Sequence, residues 1–528
     1  MTRLGRRRFL EYSGAAAVSH MARGDAFAWA RDTTEVMTTA GRVSGIEEDG
    51  VHAFKGIPYG ADTARTRFRA PVAPKAWTGI LQCARFAPMA PQLTVARPGG
   101  GAQSEDCLHL NVWSAGLGDR KNRPVLVYFH GGAYNNGTVN SDLYDGKRLV
   151  HRGDVVVVTV NHRLNAFGYL YLGDLAPEYR DSGNAGQLDL VLALKWVRDN
   201  IAAFGGDPSR VLIFGQSGGG AKCATLMATP AAKGLFHRVM TMSGQQIKGA
   251  SIEIASTRAR TVLEKMGVKP GKNLAAQLDA LTMEQIQEGA RVVSADWLPV
   301  VDHVVLSRNP FDPDAPALSE MVPMILGNTH DETNVPSREP ITWETAAAAL
   351  KNAVSEYLGP VPAEEVVAKY RQIYPDYTPE QAVTAAATAF RAWPGQRWEA
   401  ERRAANPRSQ PRTWVYQMNF QGANHKASHT IDIPFMFDNI AMAQAQIGTA
   451  PEQLAAANAL AAAMSEMLIT YARTGNPNFA GLPHWPAYDL KTRATMMWER
   501  TPRIENDPRG AERVFADRSP YHQPGTER

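Results

Sequence analysis

Val211-Leu212-Ile213-Phe214-Gly215-Gln216-Ser217-Gly218-Gly219 is an apolar run that breaks into glycines around one serine. Gly215-x-Ser217-x-Gly219 has the spacing of a strand that turns sharply into a helix. Such a turn holds its serine at the strand end, in a strained backbone that only small neighbours tolerate. Another apolar run, Val155 to Val158, precedes it. Glycine-serine clusters also make flexible turns, so the weight of the pattern comes from its surroundings.

Further upstream, Val125-Leu126-Val127-Tyr128-Phe129 opens into His130-Gly131-Gly132-Ala133-Tyr134. Acyl transfer needs backbone N–H groups aimed at the oxygen that becomes negative, and a loop of small residues lets the backbone come that close. Gly132 and Ala133, with Gly218 after the serine, are the expected oxyanion donors. A serine hydroxyl also needs a base, itself oriented by an acid, and in folds with this elbow the order is serine, acid, histidine. After Ser217 the acid candidates are Asp331 and Glu332, which follow the strand-like Val322-Pro323-Met324-Ile325-Leu326-Gly327. The base candidates are His425 and His429. Spacing chooses within neither pair.

These segments are accompanied by Phe54-Lys55-Gly56-Ile57-Pro58-Tyr59, Ser104-Glu105-Asp106-Cys107-Leu108, Asn161-His162-Arg163-Leu164, Phe204-Gly205-Gly206-Asp207-Pro208, Gly475-Asn476-Pro477-Asn478 and Trp485-Pro486. With them the chain resembles the type B carboxylesterases of the cholinesterase and carboxylesterase family, in their bacterial branch, over nearly all of residues 31–528. The resemblance implies an α/β-hydrolase fold in which Glu332 is the acid and His429 the base, leaving Asp331 and His425 as solvated loop residues. It further implies ion pairs of Glu105 with Arg67 and of Asp189 with Arg163, a serine, Ser243, that hydrogen-bonds the acid, and a packing or gorge-lining Trp297. Thr333 and Thr430 stand where that family has glycine, Asp432 where it has glutamate, and Gln216 where it has glutamate beside the nucleophile. Exported relatives close a disulfide on the residue matching Cys107. Its usual partner falls at Ala90, so the bridge forms only if Cys83 substitutes. Pro91 to Gly101 lacks the tryptophan with which cholinesterases hold a quaternary ammonium, which argues against choline esters.

The wider chain agrees. Strand-like runs alternate with helical stretches such as Gly186 to Ile201, where Leu188, Val191, Leu192, Lys195, Trp196 and Val197 mark one face. That alternation predicts an α/β fold with a large, mostly parallel central sheet flanked by helices on both faces. The alanine-rich stretch from Glu452 to Arg473 reads as one long helix. Neither repeats nor linkers divide the chain, so residues 31–528 are expected to form one domain.

Residues 1–30 read as a twin-arginine signal peptide, from Arg6-Arg7-Arg8-Phe9-Leu10 to a small-residue cleavage site at Ala28-Trp29-Ala30, and predict a periplasmic or secreted protein. Their five arginines stand against Glu11 and Asp25, so the segment carries most of the formal net charge of +4. The mature chain is then nearly neutral, with no basic stripe for nucleic acid, no polybasic patch and no membrane anchor. Cys223 reads as a small buried hydrophobe, and no histidine and cysteine cluster has metal-ligand spacing. The expectation is therefore an exported serine hydrolase of small-molecule carboxylic esters, working through an acyl-enzyme without metal or cofactor. Amide hydrolysis, and a binding or adhesion module on the same fold, are the alternatives. A binding module has no need of an exposed elbow serine. Oligomeric state and the physiological ester are left open.

Overall fold

The computed structural model describes residues 33–93, 101–293 and 297–526. The twin-arginine segment, and most of the stretch from Pro91 to Gly101, lie outside them. Thirteen strands make one sheet. In chain order they are β1 (Thr33–Met37), β2 (Arg42–Glu48), β3 (Val51–Pro58), β4 (Ile80–Gln82), β5 (His109–Ser114), β6 (Arg123–Phe129), β7 (Val156–Val160), β8 (Gly206–Gln216), β9 (Arg238–Met242), β10 (Met324–Thr329), β11 (Thr413–Met418), β12 (Ala494–Trp498) and β13 (Arg503–Asn506). Across the sheet the order is β1-β2-β3-β5-β7-β6-β8-β9-β10-β11-β12-β13, with β4 paired to β2. Every neighbour from β7 to β12 is parallel, and the antiparallel pairs lie toward the two margins.

The unbroken apolar runs of the sequence are the strands covered on both faces. Side chains alternate between two cores. Val125, Val127, Phe129, Val156, Val158, Val211 and Ile213 enter one, packed with Leu190, Leu194 and Val197 of the Ala185–Asn200 helix and with Cys223 and Met227 of the Gly218–Met227 helix. Leu126, Tyr128, Val157, Leu212 and Phe214 enter the other, beneath Leu460, Met464, Leu468 and Tyr471 of the Pro451–Thr474 helix. That last helix is long and apolar enough to cross a membrane, yet half of its apolar window is buried against the sheet. Lys195 is exposed and does not share the apolar face of its helix.

Both expected ion pairs form. Arg67 grips Glu105 through Nη2–Oε1 at 2.5 Å and Nε–Oε2 at 2.8 Å, and the buried Arg163 reaches Asp189 at 2.6 Å. Deleting one partner of such a buried pair strands the other, at a cost of about 3–5 kcal/mol. Trp297 is buried among Phe68, Tyr134 and Phe167 in a third apolar cluster and packs. The disulfide does not form: Cys83, Cys107 and Cys223 are free thiols, all buried, and burial pushes the Cys83 thiol up to about 12.

Candidate active site

The parallel strands β6, β8, β10 and β11 all end on one edge of the sheet, and the singled-out residues follow those ends. In open parallel sheets this carboxyl edge is where ligands bind. Ser217 follows β8 directly, at φ 56° and ψ −127°. It is partly accessible, although both neighbours, Gln216 and Gly218, are buried. Its N–H donates to the Met242 carbonyl at 2.7 Å, and its own carbonyl accepts from Ala221 N–H at 3.1 Å. The glycines are steric necessities: a Cβ on Gly219 would lie 1.9 Å from the Phe129 carbonyl oxygen, and one on Gly244 would lie 1.9 Å from that of Ser217. The turn is thus a strand-to-helix elbow held by close backbone packing.

Gly132 and Ala133 both have left-handed backbones, at φ 91° and 50°. Among the described residues no protein acceptor takes either N–H. A Cβ on Gly218 would sit 2.4 Å from the Ala133 Cα, so the start of the helix and the loop touch. Gly218 thereby lies against Ala133, the neighbour of Gly132 in the loop.

The acid and base candidates come from adjacent strands. After β10 and β11 pair through Thr329 and Met418, His330 N–H still bonds the Met418 carbonyl at 2.9 Å. The β11 side then makes an excursion, and the ladder resumes as a parallel bridge between Asp331 and Ser428. One residue further along each chain, the Glu332 carboxylate meets His429 Nδ1 in a short hydrogen bond. Only 1% of the Glu332 side chain is exposed, against 36% of His429. Burial would raise the Glu332 carboxyl, but the positive charge and hydrogen bond of His429 outweigh it, helped by the Ser243 hydroxyl and by the Thr329 N–H at 2.6 Å, and hold it below the usual range. Ser243 lies against the carboxylate without making a fully formed hydrogen bond. For His429, burial lowers the pKa, while Glu332 and more weakly Asp432 raise it; the raising side wins.

Of the rejected candidates, His425 is an exposed loop residue. Asp331 departs from expectation: it is a clasp between the acid and base loops, with 13% of its side chain exposed. It accepts from Ala427 N–H at 2.8 Å and pairs with His330 at 2.9 Å.

Several features escaped sequence reasoning. No described hydrogen bond joins Ser217 to His429; the His429 Nε2 instead lies 3.2 Å from the Gln216 amide nitrogen. With Nδ1–H committed to Glu332, that amide donates to the Nε2 lone pair. Asp432 is buried, accepts from the Tyr416 hydroxyl at 2.8 Å, and is pushed up to about 7 by burial, with Glu332 adding to the rise. Thr430 sits at φ 77°, a left-handed position that suits glycine. Lys222 is fully buried in the helix after the elbow. Gln216, Thr430 and Asp432 had a signal in the sequence as departures from the family pattern, and Lys222 as a lysine among small and apolar helix residues; their contacts had none.

A model of the carboxylesterase family matches residues 32–515. The chain is 35% identical over 505 residues to the para-nitrobenzyl esterase of Bacillus subtilis (strain 168), covering 91% of this chain and 98% of that one. It is 30% identical to the phenmedipham hydrolase of Pseudarthrobacter oxydans, covering 85% of this chain and 92% of that one. Among solved structures, a Geobacillus stearothermophilus carboxylesterase at pH 6.2 superposes with a TM-score of 0.79 at 35% identity, covering 91% of this chain and 99% of that one.

Proposed function

Because the chain belongs to the carboxylesterase family and is a carboxylic ester hydrolase, we propose that it cleaves small-molecule esters through an acyl-enzyme on Ser217, with His429 as base and Glu332 as acid. The observation that carries this reading is the buried Glu332 carboxylate bonded to His429 at the sheet edge that also carries the strained Ser217 elbow. With its Nδ1–H given to Glu332, neutral His429 has its lone pair on Nε2, the state a general base requires. The Gln216 amide yields that lone pair as substrate enters, since catalytic contacts in empty sites are commonly loose. His429 then takes the Ser217 proton as Oγ attacks the ester carbonyl. The Gly132, Ala133 and Gly218 N–H groups receive the oxyanion, and collapse expels the alcohol with the proton from Nε2. Water, activated by the same imidazole, attacks the acyl carbonyl and releases the carboxylic acid and free Ser217. Ser243 steadies Glu332.

Ser217→Ala tests this: turnover of an aryl ester should fall roughly a million-fold with the fold intact, as for the nucleophile of a serine protease. Near-normal hydrolysis by that variant would refute the assignment, as would an organophosphate label found on any other residue. The name of the Bacillus subtilis relative makes para-nitrobenzyl esters the first panel to try. Residues 1–30 are proposed to direct twin-arginine export, so replacing Arg6 and Arg7 with lysine should retain the protein inside the cell, and unchanged export would exclude that route.

A further inference from the structure

Lys222 is a buried cation that the mechanism above leaves without a task. It lies one helical turn beyond Gly218, and among the described residues no carboxylate pairs with it. Its ammonium donates to the Ala133 carbonyl at 2.7 Å and to the His130 carbonyl at 3.3 Å, and it lies 5.3 Å from the centre of the Tyr134 ring. Those two carbonyls bracket Gly131 and Gly132, so one side chain ties both ends of the loop to the helix that starts after Ser217. A buried cation without a counter-ion costs stability, and a left-handed alanine is disfavoured. Both costs fall on the same few atoms. Burial pushes the Lys222 ammonium down to about 7, with the Cys223 thiol opposing the shift; either protonation state retains N–H donors for the carbonyls.

We propose that Lys222 is a positioning residue for ester hydrolysis, which holds the Gly132 and Ala133 N–H groups beside that of Gly218 by fastening the carbonyls of His130 and Ala133. The geometry gives the reason. The Ala133 carbonyl that Lys222 grips is the atom against which Gly218 packs most closely, since a Cβ there would come within 2.2 Å of it. The loop therefore has little room to move while the clasp is closed. Opened, the Ala133 peptide is free to turn toward a backbone more usual for alanine and to carry its N–H away from the oxyanion. Substrate binding does not use that N–H as strongly as the transition state does, so the effect belongs in kcat.

This inference rests on the assignment of Ser217 and its oxyanion donors, and its test separates the two. Lys222→Met and Lys222→Gln are purified, checked by thermal melting, and assayed for kcat and KM on an aryl acetate. Inhibition by an aryl trifluoromethyl ketone, which adds the serine oxygen and places an oxyanion in the loop, is measured alongside. Lys222→Met should lose about 10- to 100-fold in kcat with KM moving less than about twofold, and should bind the ketone more weakly by a similar factor. Lys222→Gln, which keeps a shorter donor, should lose less, in the same proportion between kcat and ketone affinity. A folded Lys222→Met with the parent's kcat and ketone affinity overturns the proposal, as does a loss confined to KM or to melting temperature. If Lys222→Met does not fold, Lys222→Gln decides by the same criteria, and failure of both to fold assigns Lys222 to stability and overturns it too. Ser217→Ala that still turns over ester sinks the underlying assignment; an inert Ser217→Ala beside an unaffected Lys222→Met sinks this inference alone.

Discussion

Glu332→Gln removes one charge and keeps the shape of a side chain that is almost wholly buried, so its consequences can be worked out on two independent axes. The first is the tautomer of His429. The amide oxygen takes over the acceptor position that serves the Thr329 N–H at 2.6 Å, which turns the new NH2 group toward His429 Nδ1. Two donors cannot share that contact, so the imidazole keeps its proton on Nε2 and offers Ser217 no lone pair. In a serine protease the same exchange costs about 10⁴ in kcat, or about 5.5 kcal/mol of barrier. Here His429 is 36% exposed, so water can orient part of the ring population, and the expected loss is about 10³- to 10⁴-fold. The second axis is pH. Burial pulls His429 down and Glu332 pulls it up, with the upward pull winning in the parent. Without the carboxylate, burial prevails. The base works only when neutral, so activity rises as pH climbs through its pKa. The acid limb of kcat/KM, which the net upward pull on His429 sets in the parent, must therefore move to lower pH in the variant. A pH-stat assay over about pH 5 to 9 with an unionisable ester, beside a melting curve for the fold, reads both axes. A loss below about tenfold, or a limb that stays or moves upward, would refute the reasoning.

Gln216→Glu should move the acid limb the other way, by about one unit or more, because a carboxylate beside His429 Nε2 favours the imidazolium; the same pH-stat profile checks it. Asp331→Asn should lower kcat about tenfold by weakening the clasp on the base loop, through hydrogen bonds to a charged group worth about 1.5–3 kcal/mol, and steady-state rates will show it. His425→Ala, on an exposed loop, should leave kcat alone and cost about 1 kcal/mol at most in a denaturant melt, since the alanine falls on a left-handed backbone at φ 57°. Gly219→Ala should cost about 3 kcal/mol or more and abolish activity, because the new methyl falls on the Phe129 carbonyl; soluble yield and melting temperature report it.

The parts legible in the sequence are those written in local pattern. Val125 to Phe129 and Val211 to Phe214 read as buried strands because an unbroken apolar run has to be covered on both faces. The glycines around Ser217 announced a tight elbow because only a missing Cβ permits the backbone approach seen there. Choosing Glu332 over Asp331 needed the resemblance, since both are carboxylates on one loop and their difference lies in which way each points. For the same reason Asp331 was misread: its clasp partners, Ala427 and His330, include one almost a hundred residues away. The contact between Gln216 and His429 had no local trace, as it joins β8 to the β11 side across two strands. The sequence left the disulfide open, conditional on Cys83 replacing the partner lost at Ala90, and only the structure decides it: Cys83 and Cys107 share one apolar core yet stay unpaired there.

The resumed bridge between Asp331 and Ser428 makes the meeting of acid and base a matter of sheet register. Residues 419–427 lie between the two stretches of ladder and contribute no rung to it. Phe420 is nevertheless a core residue, Asn419 and Phe420 bond the Trp498 carbonyl, and Ala423 bonds that of Gln446, so only the exposed tip at Asn424 and His425 is free to change length; provided Ala427 still reaches Asp331, Glu332 then finds His429 on the same rung. The link from Thr329 to Glu332 has no such freedom. One residue inserted there moves the acid off its rung and onto the opposite side of the strand. The exposed tip at Asn424 and His425 can accordingly take an insertion in this enzyme, while the acid loop is fixed in length to the residue.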